Sequence, residues 1–297
     1  MKNIDGLLLL NKPRGITSTA CLNKLKRKFK LKKIGHGGTL DPLATGLLLV
    51  FLGKATKLSP FLMQREKVYR GVLELGKTSA SYDADSEVIE KKDWSYLSAE
   101  EVKKEVLNWI NLEEQEVPPI SAAKHKGKPL YFRVRKGEDI PVKRKKIKIF
   151  EVKVLKTELP FVHFWVRCSA GTYIRSLAHS LGKRLGCGAI LTELTREECT
   201  PFKLEQAYSL EQVLEEGLEG KVLSFKEALA NWPHLTVNPY LEEKIKNGAI
   251  LSPLELPLQP KEGLKVLISN QKEEPLALLE CQDELNPRWK ILRGLWS

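Results

Sequence analysis

Two runs of apolar residues are continuous, "GLLLL" at 6–10 and "GLLLVFLG" at 46–53, and runs of this kind predict short, fully buried strands. Lys12-Pro13 stops the first of them. Between the two, "TSTACLNKLKRKFK" (17–30) predicts a helix. Thr17 or Ser18 can cap it, and Leu22, Leu25 and Phe29 recur at helical spacing. "KATKLSPFLMQ" (54–64) predicts a further helix and "KVYRGVLELG" (67–76) a strand. Ser98-Ala99-Glu100-Glu101 forms a capping box at the start of the helix "AEEVKKEVLNWIN". "IKIFEVKVLKTEL" (147–159) and "FVHFWVRCSA" (161–170) alternate like neighbouring antiparallel strands joined near Pro160. "TYIRSLAHSLGKRLG" (172–186) predicts a helix ended by Gly186.

Strands and helices interleave without a repeating βα unit, which favours an α+β fold over a doubly wound sheet. The character changes after about residue 232. A proline-rich stretch leads there into "GLKVLISN", "PLALLECQ" and "RWKILRGLW", which look like short strands. The expected organisation is a domain over 1–232 followed by a small, mainly β domain over 233–297.

A length of 297 residues with 42% hydrophobic and 29% charged residues fits a globular chain with a real core. The longest apolar run, Leu47 to Leu52, is too short to span a bilayer, and the first residues do not read as a signal peptide. A cytoplasmic protein without a membrane partner is expected. The five cysteines are scattered without C-x-x-C spacing, so buried reduced thiols are expected and a metal site is not. The net charge of +12 is clustered. "KLKRKFKLKK" (24–33) holds seven cations in ten residues, "KRKKIK" (143–148) holds five in six, and Lys124, Lys126 and Lys128 add a third group. Such clusters favour a polyanion, nucleic acid above all, over a merely solvated surface.

Against that basic background, "GHGGTLDPLATG" (35–46) contains four glycines and one carboxylate, Asp41. Asp before Pro commonly opens a turn, and the loop lacks the G-x-x-x-x-G-K-[ST] pattern of a nucleotide cradle. Taken alone, the loop could simply turn the chain. Its companions add to the picture. The loop resembles the catalytic motif of the TruB family of pseudouridine synthases, and other stretches resemble that family's motifs in the same order. They are "LLNKPRGITS" (9–18), "KVYRGVLELGKTSASYDADSEV" (67–88), "PPISAAKHKGKPLYFRVRKGEDIP" (118–141) and "CSAGTYIRSLAHSLGKRLGCGAILTELTR" (168–196). Gly37, Ser79, Ser81 and Ser86 depart from the usual residues, at positions to which no chemistry is carried over.

The resemblance implies a pseudouridine-synthase fold, with a mixed and largely antiparallel sheet, and a C-terminal PUA-like RNA-binding domain. It also implies an activity: conversion of uridine-55 in the TΨC loop of tRNA to pseudouridine, without cofactor, metal or obligate protein partner, by a monomer. Asp41 matches the family's essential aspartate, as nucleophile or as base, and Arg175 matches the guanidinium that pairs with it. Tyr69 matches the residue that stacks on the target base, and Tyr173 and Leu194 match the walls around a flipped uracil. His36 corresponds to a residue that enters the RNA loop. Lys12, next to Pro13, would support the catalytic loop, and Asp83 would position RNA or neighbouring loops. Two rival readings stay open: a guide-RNA-dependent catalytic subunit of the dyskerin type, and an RNA chaperone.

Overall fold

The computed structural model describes residues 4–121, 143–283 and 285–296, together with the backbone of 124–125 and 128–129. Its first strand, β1 (Gly6–Lys12), pairs antiparallel with β2 (Thr45–Leu52), from Gly6 opposite Leu52 to Lys12 opposite Gly46. The two continuous apolar runs are thus neighbours, and alternation sends their side chains into two separate cores. Leu8, Leu10, Leu48 and Val50 face α1 (Ser18–Lys28), meeting its Cys21, Leu22 and Leu25. Leu7, Leu9, Leu47, Leu49 and Phe51 fill a second cluster on the opposite face. Thr17 caps α1 by accepting the Ala20 N–H (3.0 Å), and all seven cations of 24–33 are exposed.

The sheet continues through β3 (Lys67–Leu75), β4 (Ile149–Glu158), β5 (Phe161–Cys168) and β6 (Ala189–Cys199). Its order is β4-β5-β3-β6-β2-β1. The β6–β2 contact is parallel and the other pairs of this series are antiparallel, so the expected α+β class with a mixed, largely antiparallel sheet is what the chain forms. The capping box at Ser98 opens α2 (Ala99–Leu107), and α3 (Ile174–Arg184) packs on β6.

Two expectations need correction. Residues 54–64 form a 3₁₀ helix, Gly53–Leu58, and then one short α-turn, Ser59–Leu62, because Pro60 starts a new helix better than it continues an old one. The central strand β6 was not anticipated. Glu193, Arg196, Glu197 and Glu198 break its apolar alternation, and two register shifts against β3 break its period. It meets β2 tightly at Gly46 (φ +97°), where a Cβ would lie 2.4 Å from the Arg196 carbonyl oxygen.

The C-terminal strands β7 (His234–Thr236), β8 (Lys265–Ser269), β9 (Pro275–Gln282) and β10 (Arg288–Gly294) make a separate four-stranded sheet. A helix absent from the sequence reading, α4 (Pro239–Lys246), accompanies it. Pro239 at its start and the Asn238 cap are helix-opening signals that the proline-rich composition obscured. This sheet has its own core around Trp289, Leu279 and Ile245, yet Leu267, Leu278 and Leu295 join the second cluster beneath β1 and β2. Lys57 Nζ also donates to the carbonyls of Gly294 (2.9 Å) and Trp296 (3.0 Å).

A chain ending at Trp232 is therefore expected to be markedly destabilised, since uncovering a buried leucine costs about 2 kcal/mol. Thermal unfolding should shift downward, and binding of a hydrophobic dye should rise. A truncated protein that unfolds at the parent's temperature would show that the C-terminal sheet contributes nothing to that core. Among the described residues no helix is long and apolar enough to cross a membrane.

Candidate active site

The glycine-rich loop is fastened on several sides. Gly37 N–H donates to the Leu49 carbonyl (2.8 Å). The Ser18 hydroxyl, buried at the start of α1, donates to the Leu40 carbonyl (3.0 Å) and accepts the Leu40 N–H (2.9 Å). Lys12, also buried, donates from Nζ to the carbonyls of Pro13 and Ile16 (both 2.8 Å) and of Pro42 (3.4 Å). Gly15 N–H reaches the same Pro42 carbonyl (2.8 Å). From the far side Arg196 donates from Nη2 to the Gly38 carbonyl (3.0 Å) and from Nε to the Leu47 carbonyl (2.7 Å). None of these bonds uses the Asp41 side chain, so the loop is held in place and its carboxylate is left for other work.

That carboxylate meets Arg175 on the first turn of α3. Nη2 donates to Asp41 Oδ1 (3.1 Å), and Nε lies 2.8 Å from Oδ2. The Arg175 side chain is 5% exposed and that of Asp41 37%, so the base of the pair is sealed and its carboxylate is open. Nη1 donates to the Ser81 carbonyl (2.6 Å) and Nη2 to that of Ile120 (3.3 Å). Behind the pair lies Asp83, with Oδ2 3.5 Å from Arg175 Nε. Burial pushes the Asp83 carboxyl above its usual range, with Arg175 and the Ser81 hydroxyl opposing the shift. Ser79 Oγ donates to the Asp83 carbonyl (2.6 Å), and Ser81 Oγ donates to its carboxylate. Two serines that depart from the family pattern thus hold this acid.

Asp41, Arg175, Tyr69, Tyr173 and Leu194 line one cavity of about 270 Å³. The structure brings these five expected residues together and leaves the other three off the lining. Lys12 lies under the loop and Asp83 behind Arg175. His36 ends a short strand (Ile34–His36) paired with β2, its buried Nδ1 without a hydrogen-bond partner among the described residues. Burial draws its imidazole below the ordinary range, with Arg196 adding to the effect. Most of the stretch 118–141, including Lys126, lies outside the described residues, and of Lys124 and Lys128 only the backbone is described.

Lys67 and Arg196 also line the cavity, and the sequence reading passed over both. A period-two signal could have found them. Lys67 stands two positions before Tyr69 on β3, and Arg196 two after Leu194 on β6, so each shares a strand face with a residue that was singled out. Tyr69 and Arg196 are direct partners in the β3–β6 register. Burial pushes the Tyr69 hydroxyl well above its usual range, and Arg196 partly offsets this. Gln115, likewise missed, clamps Tyr173: its Oε1 accepts the Tyr173 N–H (2.6 Å) and its Nε2 donates to the Tyr173 carbonyl (3.0 Å).

One turn beyond Arg175, the His179 ring stacks on Tyr82 at 3.7 Å between centroids and 7° between planes. Burial pulls His179 from 6.5 down to about 4, with Lys183 adding to the shift and Glu116 opposing it. The folded chain keeps this ring neutral where the unfolded chain binds a proton, so stability should fall as pH drops from about 6.5 to 4. His36 and His234 are shifted in the same direction. His179→Gln should flatten this part of the stability profile, as read by thermal unfolding at stepped pH. An unchanged slope would mean that His179 does not contribute.

Residues 26–174 match the family model described as "TruB family pseudouridylate synthase (N terminal domain)". A protein of Oleidesulfovibrio alaskensis named "tRNA pseudouridine synthase B" is 48% identical, over 98% of this chain and 96% of its own length. One of Nitratidesulfovibrio vulgaris with the same name is 48% identical over 98% and 97%. Among solved structures, "Structure of H/ACA RNP bound to a substrate RNA containing 2'-deoxyuridine" superposes with a TM-score of 0.70 at 24% identity, covering 98% of this chain and 85% of the other. "Crystal structure of the archaeal box H/ACA sRNP Nop10-Cbf5 complex" gives 0.68 at 24% identity, covering 98% and 86%. At that identity the likeness is one of fold.

Proposed function

The chain belongs to the TruB family of pseudouridylate synthases, and from that premise we propose that it isomerises uridine-55 of tRNA, with Asp41 as the reacting carboxylate. The observation that carries this is the Asp41–Arg175 pair at the cavity, buried on the arginine side and open on the carboxylate side. A nucleoside inside a duplex cannot reach such a cavity, so the uridine enters flipped out of its stack. Tyr69 offers an aromatic face for the uracil, and Tyr173 and Leu194 close the walls.

In the reaction the C1′–N1 bond breaks and a C1′–C5 bond forms, while C5 gives up its proton and N1 gains one. A single carboxylate, attacking the ribose–uracil unit or taking a proton from it, suits a reaction in which no group leaves for good. Arg175 aims Asp41, and Lys12 and Ser18 keep its loop from yielding. Asp83 positions Arg175 from behind, and His36 acts beyond the cavity, against the RNA loop.

The exposed cations of α1 hold phosphates through counterion release. Residues 1–232 form the catalytic domain and 233–297 a PUA-like RNA-binding domain, and the protein works as a monomer without a guide RNA or protein partner. Supporting the stand-alone reading, the relatives named tRNA pseudouridine synthase B match this chain over nearly their whole length. The test is to treat an unmodified tRNA transcript with the purified chain alone and to map pseudouridine along it. Pseudouridine at position 55 is expected. Modification only after adding a guide RNA or partner protein would favour the guide-dependent reading. Tight binding without any modification would favour a chaperone.

A further inference from the structure

Buried cations in folded chains are normally matched by buried anions. Arg175 obeys this rule with two carboxylates, but its neighbours across the cavity do not. Arg196 is 1% exposed and Lys67 5%. Arg196 donates to the carbonyls of Leu47 and Gly38 and lies beside the Tyr69 hydroxyl and the Cys199 thiol, while Lys67 Nζ donates to the carbonyls of Met63 (2.8 Å) and Arg65 (2.9 Å), all of them neutral partners. Among the described residues neither has a carboxylate within ion-pair distance. Carbonyls satisfy the donors but leave the charge uncompensated.

The two cations lie side by side against Gly38 (φ +99°), where an added Cβ would sit 3.5 Å from Arg196 Nη1 and 3.8 Å from Lys67 Cε. A third cation flanks the same cavity. Lys145, exposed on the strand Arg144–Lys146, lays its ammonium over Gly171 (φ +78°), in the space a side chain at 171 would need. Burial draws the Lys67 ammonium below its ordinary range, and the charges of Arg196 and Lys145 add to that shift, which an anion placed among the three would reverse. Both glycines line the cavity. The result is a cationic wall on the cavity that also holds the Asp41 carboxylate.

We propose that this wall, formed by Lys67, Arg196 and Lys145, binds a phosphodiester group adjoining the reacting nucleoside. The inference rests on the pseudouridine-synthase reading and adds an anion subsite to it. A phosphodiester carries the missing negative charge, and a flipped nucleotide brings one on each side of its ribose. Gly38 leaves room for a phosphate to approach the backbone between Arg196 and Lys67, and Gly171 leaves room for the Lys145 ammonium. Such an anchor fixes the ribose against Asp41, so that the carboxylate meets the sugar and not only the base.

The test uses short stem-loop RNAs in which the phosphate 5′ or 3′ to the target uridine is replaced by a neutral methylphosphonate. The full-length parent should lose about tenfold to a hundredfold in single-turnover rate or affinity at one of the two positions, the worth of a charge-assisted hydrogen bond. Lys145→Ala and Lys67→Met should lose a similar factor on unmodified RNA and little more on the neutral one. Lys67→Arg, which keeps the charge, should recover most of the loss. Lys145 is exposed, so its variant keeps the proposal testable if the Lys67 variants fold poorly.

The inference is overturned if neither neutral linkage affects the parent, or if the variants lose as much on neutral RNA as on native RNA. Should the parent make no pseudouridine even on native RNA, the functional reading fails. Affinity for the same set of RNAs, read by fluorescence anisotropy, then decides the anion subsite on its own.

Discussion

Asp41→Asn is expected to leave a folded protein with near-parental tRNA affinity and no detectable pseudouridine. The fastenings of the loop predict the first part. Lys12 and Gly15 hold the Pro42 carbonyl, Ser18 holds Leu40, and Arg196 holds Gly38, all without the side chain of residue 41. Asparagine keeps an oxygen that can accept from Arg175 Nη2, and Arg175 keeps Asp83 as a counter-charge. The loss in stability should stay within about 2 kcal/mol, one charge-assisted bond. Affinity should hold as well, because a carboxylate facing RNA contributes repulsion and not attraction.

Turnover is another matter. An amide neither attacks a sugar carbon nor takes a proton at neutral pH, and the other acid of the site, Asp83, lies buried behind Arg175. A fall of roughly 10⁴-fold or more is expected. Pseudouridine should be quantified after digestion of the treated tRNA, with mass spectrometry of the protein excluding deamidation back to aspartate. Turnover near the parent's rate would remove Asp41 from the chemistry.

How much of this was readable in the chain depends on whether the decisive contacts are local. The paired strands β1 and β2 were legible because burial on both faces writes itself as continuous Leu and Val. The caps at Thr17 and Ser98 were legible because a cap reaches only two or three residues along the chain. The ion pair at the centre of the site joins positions 134 apart, which no spacing rule connects, and only the resemblance to a known family brought them together. Strand β6 hid because its inward positions include a guanidinium, whose burial is set by carbonyls from 149 and 158 positions away. The anion-facing wall hid for the same reason. A lysine and an arginine look alike in sequence whether they are solvated or sealed, and the clustered surface cations drew attention away from two isolated buried ones. His36 shows the converse: an odd residue in a conspicuous motif lies off the cavity lining, on a short edge strand.

Arg175→Met should lose both stability and turnover, and its stability deficit should shrink as the pH is lowered. In the parent one guanidinium faces two carboxylates and two carbonyls, those of Ser81 and Ile120. Methionine fills part of the space but leaves those carbonyls without this donor and puts two acids side by side. Removing one partner from a buried ionic cluster costs about 3–5 kcal/mol. Asp83 bears most of the strain, because its side chain is 4% exposed and burial already pushes its carboxyl upward against the pull of Arg175. Without that pull, its folded value rises further above the 3.8 of an unfolded chain. A carboxyl raised on folding binds its proton more tightly in the folded state, so the variant gains stability relative to the parent as pH falls through that raised value. Thermal unfolding of parent and variant at pH values stepped downward from neutrality toward 3.8 should show the gap narrowing. Arg175→Lys restores a charge but not the planar fork that reaches Asp41, Ser81 and Ile120 together, so it should recover more stability than turnover. A gap independent of pH would mean that Asp83 is not the group Arg175 compensates. Parental turnover in the lysine variant would mean that aiming Asp41 does not require the fork.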